Sequence, residues 1–398
     1  MQVMFGHQEG LNLSIPNAAG SIMNTSVCLS ANTLAYAHGG GHLSVYLNWA
    51  MGFREAGCDV IWLEAVNPAA PGEETLACIA ALETRLQRYQ LDDRLALCSA
   101  SGEALPAVVA ERHPAACQPV EADVLFNMRY TTRPRRAGRF KVTAFLDIDP
   151  GLLQTWVSKY QLDVAPHDVY FTIGETVGRT GARFPDAGLP WTYTPPCVSL
   201  EWWQPHGADP DAAFSTVTHW HASEWIEENG QVYANDKRTA FLPFLSLPKK
   251  TKNPLELALC LSEKDHGEWQ MLRRHGWRVC NAFTKLSTPW DYQRFIQRSR
   301  GEFSCAKPAY VRLQTAWISD RTLCYLASGK SVIVQHTGLS RFLLEAEGLF
   351  RFRDIDDAVC CLEVVASDYG RHAAQARALA ERYFDAKMVT TRILERLL

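Results

Sequence analysis

The sequence predicts an α/β protein: two Rossmann-like doubly wound domains facing each other across a cleft. Three observations carry that prediction. Apolar runs of strand length alternate with segments whose apolar residues recur at helical spacing along most of the chain. In residues 26–64, an apolar run, three glycines, a helical pattern and a second apolar run follow in order, which makes a βαβ unit and hence a parallel sheet. The alternation stops at 191–213, a Pro- and Trp-rich stretch without periodicity, and then starts again.

The first strand is read in "SVCLSANTL", residues 26–34. Gly39, Gly40 and Gly41 break it. Leu43, Tyr46, Leu47, Ala50 and Phe53 then mark one face of a helix that Gly57 ends. "DVIWLEAV" is the next strand, a helix follows over 73–88, and "ADVLFNM", "KVTAFLDI" and "DVYFTIGE" complete a first domain over 25–193. Residues 194–213 are the linker. The second domain, 214–380, has strands at "FSTVTHW", "LELALCL", "WRVCNA", "GEFSCA" and "SVIVQHT", with helices over 237–244, 266–275, 289–299 and 320–328. An amphipathic helix over 381–398 is expected to pack back on the first domain. Residues 1–24 have no periodicity and read as an extension.

Composition agrees. A chain of 398 residues, 47% of them hydrophobic, supports two full cores rather than disorder. A net charge of −3 argues against a chain-wide nucleic-acid surface, and the basic clusters "RPRRAGRFK" and "PKKTK" read as solvated loops. The 12 cysteines are scattered without a CxxC, and adjacent Cys360 and Cys361 are unsuited to sharing one metal. They read as reduced thiols of a cytoplasmic protein. No apolar run reaches membrane-spanning length and no signal-like segment opens the chain.

Chemistry is expected where strands end at the cleft. Residues 301–338 hold a strand ending near Ser304, an irregular stretch, and a helix capped by Ser319 with Asp320 in its first turn. The free amides over 319–322, which include Arg321 and Thr322, are placed to receive a diphosphate. The triple glycine lacks Cβ atoms, so a ligand can approach its backbone, and its spacing fits neither a dinucleotide fingerprint nor a P-loop. His38 and His42 flank it; either imidazole suits deprotonation of an acceptor hydroxyl, with helix capping or packing as the plainer role. Asp147 and Asp149 in "FLDIDPG" read as an acceptor-side base, a divalent-ion pair, or a turn before Pro150. Glu175, ending its strand, is placed for acceptor hydroxyls, whereas His167 at the opposite end reads as structural. Asp354 and Asp356 read as a helix cap. Of the tryptophans crowding the linker and loops, Trp317 is the best stacking candidate.

"YLASGKSVIVQHTG" resembles the donor-site segment of GT-B glycosyltransferases, especially the large family-four (group 1) type. The resemblance implies sugar transfer from a nucleotide-sugar donor to a small-molecule or glycan acceptor, without metal or cofactor and without nucleic acid, the donor held mainly by the second domain. It implies donor contacts at Ser304, at Thr337 and Gly338 in the loop after the strand, at Gly40 and Gly41, and at Lys237, matching a diphosphate-gripping lysine with Arg238 beside it. Two family glutamates eight positions apart are absent; the second falls on Cys324, with Asp320 and Glu302 the nearby carboxylates. The upstream arginine is missing from "THWHASEW". A nucleotide-sugar epimerase of this fold, a non-catalytic nucleotide-sugar binder and, more remotely, a metal-dependent GT-A enzyme are the alternative readings. All donor readings require Lys237 and the Ser319 turn to face one another.

Overall fold

The structure, a computed structural model, describes residues 24–36, 39–160, 162–228, 230–343 and 346–398. The expected extension, apart from Asn24, and His38 therefore lie outside the described residues.

In the first domain, β1 (Ser26–Ala31) leads through the glycine turn into α1 (Gly40–Glu55), then β2 (Asp59–Val66) and α2 (Gly72–Gln87). β3 (Leu95–Ser99), β4 (Val120–Asn127), β5 (Gly138–Asp147), α3 (Leu152–Tyr160), β6 (Val169–Thr172) and β7 (Trp191–Tyr193) follow. These strands form a seven-stranded sheet in the order β3-β2-β1-β4-β5-β6-β7, every pairing parallel. Five of the six residues of β1 are buried, as a central strand covered on both faces requires. The helical stripe of α1, Leu43 to Phe53, packs with Trp62 of β2 and Phe126 of β4. The edge strands β3 and β7 were not foreseen; β3 is short, and β7 lies where composition suggested a linker.

The second domain runs β8 (Phe214–His219), a hairpin of β9 (Trp225–Glu228) and β10 (Gln231–Ala234), α4 (Lys237–Phe241), β11 (Leu255–Cys260) and α5 (His266–Arg274). It continues with β12 (Arg278–Asn281), α6 (Pro289–Arg298), β13 (Gly301–Ser304), α7 (Pro308–Leu313), α8 (Asp320–Ala327), β14 (Ser331–Gln335) and β15 (Leu349–Phe352). Its six-stranded sheet, ordered β12-β11-β8-β13-β14-β15, is also wholly parallel. The hairpin and β15 escaped the sequence reading, because both are four-residue strands. α9 (Ile355–Ser367) starts at Asp354, whose carboxylate accepts from the amides of Asp356 and Asp357, as the sequence suggested.

After α10 (Tyr369–Leu379) and a π-helical turn (Ala380–Phe384), the chain returns to the first domain as α11 (Ala386–Leu397). The two crossing segments pair: the Val198 amide donates to Phe384 at 2.8 Å and the Ala386 amide to Val198 at 3.0 Å. α11 shares a core with α1 through Val389, Ile393 and Leu394. Gly52 makes that approach possible, since a Cβ there would sit 2.8 Å from the Ala386 carbonyl oxygen.

Candidate functional site

The C-terminal end of β13 gathers the cations. Asp236 caps α4 by accepting from the Thr239 amide at 2.8 Å, which sets Lys237 at the first helical position. Lys237 is buried, and its Nζ donates to the Cys305 carbonyl. From α8, Arg321 donates Nη2 to Ser304 Oγ (2.6 Å), Nε to Glu302 Oε1 (2.8 Å) and Nη1 to the Val217 carbonyl (3.0 Å). Lys237 and Arg321 thus converge on consecutive residues at one strand end. Lys307, just beyond, pairs with Glu224 at 2.6 Å and remains partly exposed.

Burial, reinforced by the charge of Arg321, pushes the Lys237 ammonium down to about 7. Burial also pushes Asp320, at the start of α8, up to about 6, with the Asp149 charge adding to it. His219, ending β8, is held below the usual imidazole range by burial and by Lys307. A dianion placed here would meet concentrated positive charge and the first amides of α8.

The first domain contributes His42. Fully buried Glu64 accepts from the Thr33 amide at 3.0 Å and from Trp62 Nε1 at 3.1 Å, pinning the loop ahead of the glycines. In that loop the Asn32 carbonyl lies 2.8 Å from His42 Nε2. A carbonyl only accepts, so Nε2 carries the proton and the neutral ring keeps its lone pair on Nδ1. Burial lowers the His42 pKa, against the opposing Asn32 hydrogen bond; His219 across the cleft lowers it further and Asp149 raises it. Tyr36 and Tyr46 flank the ring at 4.3 and 5.3 Å between centroids.

No protein-family model matches the chain, and no curated protein matches it in sequence. Solved structures do. An Anabaena protein, HepE, crystallised with UDP and glucose, superposes with a TM-score of 0.56 at 13% identity, covering 94% of this chain and 99% of that one. An alpha-glucosyltransferase in complex with UDP-glucose and DNA containing an abasic site gives 0.57 at 10% identity over 94% and 99%. A sucrose-phosphate synthase from Thermosynechococcus elongatus gives 0.52 at 8% identity over 94% and 98%. The fold is GT-B.

Within this GT-B frame, several expected ligand residues hold the protein together instead. A Cβ on Gly40 would lie 2.3 Å from the Thr288 carbonyl oxygen, and one on Gly41 2.8 Å from the Tyr292 ring. The glycine turn admits the second domain's backbone and Tyr292. Asp147 is fully buried and accepts from Gln154 Nε2 (2.7 Å), Thr172 Oγ1 (2.7 Å) and the Asp149 amide (2.9 Å), so it is enclosed within the first domain rather than open to an acceptor or an ion. Burial raises its pKa to about 7. Asp149 accepts from the hydroxyls of Tyr130 and, at 3.0 Å, of Tyr310 on α7, which makes it an interdomain tie rather than an open base. Glu175 accepts from Ser340 Oγ (2.6 Å) and the Arg341 amide (2.8 Å), a second tie across the domains. Arg238 turns outward to Glu268 at 2.9 Å, since the next residue on a helix points about 100° away. Trp317 stacks on Tyr310 at 4.1 Å, which fills one ring face. Thr337 donates to the Trp317 carbonyl at 2.7 Å, and Gly338 packs on the 314–316 backbone. Ser319 occupies the cap position of α8 without a side-chain cap bond, and Thr322 is buried.

Lys307, Glu64 and Tyr310 are the site residues the sequence reading missed. A lysine in the irregular stretch right after β13 was the one available signal; nothing local marks the other two. The loop between α7 and α8 carries Gln314 at φ 53° and Ala316 at φ 54°, left-handed geometry without glycine.

Proposed function

We propose that this protein is a metal-independent glycosyltransferase that moves a sugar from a nucleotide-sugar donor, on the likeness above a UDP-sugar, to an acceptor entering from the first domain. What supports the reading is the convergence of Lys237, Lys307 and the start of α8 on the end of β13, with His42 of the first domain near enough to His219 of β8 for their charges to interact. The acceptor hydroxyl oxygen forms a bond to the anomeric carbon while the bond from that carbon to the diphosphate oxygen breaks. Its proton passes to His42 Nδ1, and the nucleoside diphosphate leaves with the electron pair. Charge grows on the leaving oxygen as the bond breaks, so the two lysines and the helix amides stabilise the transition state more than the ground state. Arg321, engaged on three sides, positions β8, β13 and α8 for this.

The test is calorimetric titration with UDP, dTDP, GDP and ADP, repeated with Lys307→Ala. UDP binding that the substitution weakens supports the reading; no binding of any of the four sinks it. Following the donor alone by NMR separates transfer from epimerisation, because only an epimerase converts the sugar without an acceptor.

A further inference from the structure

Away from the diphosphate site, the loop after β14 folds over the edge strand β15. Between them lies a pocket of about 510 Å³ whose lining includes His336, Leu339, Ser340, Leu343, Arg351 and Arg353. The pocket is cationic. Arg351 donates Nη1 to the Leu343 carbonyl at 2.9 Å, which steadies its guanidinium against the loop. His336 Nδ1 accepts from the Gly338 amide at 3.3 Å, so the neutral ring carries its proton on Nε2 as a further donor. Two of the acids nearby, Glu347, which itself lines the pocket, and Glu175, are paired elsewhere. Glu347 pairs with Arg371, its Oε2 lying 3.1 Å from Nε, and Glu175 is taken by Ser340 and Arg341. Among the described residues, no carboxylate forms an ion pair with Arg351 or Arg353. Burial lowers the pKa of Arg351 against the opposing charge of Glu175, and burial followed by the charges of Arg353 and Arg351 lowers that of His336.

We propose that this pocket binds a phosphate-bearing anion at a site separate from the diphosphate site on β13. Two arginine forks and an imidazole N–H match tetrahedral phosphate oxygens. The volume exceeds what bare phosphate fills and leaves room for a phosphorylated sugar. The position matters as well. The same loop reaches into the first domain, where Ser340 and Arg341 hold Glu175. An anion that fixes this loop favours the arrangement in which the two domains are tied, and so couples to whatever binds between them.

Titration calorimetry at constant ionic strength tests this on the full chain, with inorganic phosphate and with glucose 6-phosphate, for the wild type, Arg353→Gln and Lys307→Ala. Arg353 is exposed, so its substitution leaves the core intact; an unchanged melting temperature verifies that. The wild type and Lys307→Ala are expected to bind with equal affinity, and Arg353→Gln about tenfold or more weaker, a loss of about one charge-assisted hydrogen bond. Tighter binding of glucose 6-phosphate assigns the site to a phosphate ester, and equal binding to phosphate itself. Undiminished binding in Arg353→Gln overturns the proposal, as does no binding by the wild type at millimolar anion.

Discussion

The two domains end their strands in opposite chemistry. In the first, the strand ends and the loops after them carry acids: Glu64, Asp147, Asp149 and Glu175. Each is consumed by hydrogen bonds, within the domain for Glu64 and Asp147 and partly or wholly across to the second domain for Asp149 and Glu175. In the second, the strand ends gather Lys237, Lys307 and His219, and only Arg321 is wholly spent on structure. A buried acid surrounded by donors is a rivet. A partly buried lysine with donors to spare can still take a ligand. The same sequence signal, a charged residue at a strand's end, therefore means different things in the two halves, and the neighbours decide which.

The largest expected break in this contrast comes from His42, whose Nδ1 is left to accept a proton. His42→Ala should lower kcat by about 10²–10⁴-fold, the usual range for a lost general base. UDP affinity measured by calorimetry should stay the same; a kcat within about fivefold of wild type removes His42 from the chemistry.

Next comes the structural cation of the second domain. Arg321→Met strands the buried Glu302 carboxylate and should cost about 3–5 kcal/mol in urea unfolding. Breaking the exposed Arg94–Asp59 pair (2.8 Å) with Arg94→Met should cost under about 1 kcal/mol. Equal costs would mean Glu302 and Arg321 are solvated.

The ligand-facing lysine is sharper still as a discriminator. Lys307→Ala should weaken UDP roughly 10–100-fold, the loss of about 1.5–3 kcal/mol of charged hydrogen bonding, while Arg238→Ala should change it less than about twofold.

Lys237 adds a pH signature. Its ammonium is held at about 7 by burial in the folded chain but titrates near 10.4 when unfolded. Between those values the unfolded chain binds more protons, so this residue's contribution makes stability rise with pH over that window and imposes its full penalty below it. Bound diphosphate restores the charge. UDP binding at pH 8.5 should therefore take up as much as about one proton, and at pH 6 almost none, read from calorimetry in buffers of different ionisation enthalpy. Lys237→Met should abolish the uptake; persistence would place the titrating group elsewhere.

The smallest effect tests the loop between α7 and α8. Ala316→Gly relieves left-handed geometry and should stabilise the fold by about 1 kcal/mol in urea unfolding. A destabilised variant would show that the Ala316 methyl packs more favourably than its backbone is strained.

Much of the architecture was legible because parallel, doubly covered strands are apolar along their length, and the helices between them repeat at a period the eye can count. "DVIWLEAV" coincides with β2, and the helix expected over 320–328 is α8 within one residue. Short edge strands such as β7 and β15 bury too few residues to leave a pattern. The site was legible in part. The α8 start was read from its local capping signature, whereas Lys237 entered through the family resemblance. The glycine turn was seen correctly as a place of close approach, but what approaches is the Leu286–Thr288 backbone and the Tyr292 ring, supplied by a segment some 250 positions away.

The sequence by itself determined two parallel α/β layers and the helix starts that present cations, since periodicity, capping and glycine placement act over a few residues. Only the tertiary structure decided that Asp147 is locked inside, that Glu175 and Asp149 tie the domains, and that His42 keeps a free nitrogen. Each depends on a partner distant in sequence, and a carboxylate's or imidazole's chemistry is set by whichever donors, charges and water reach it.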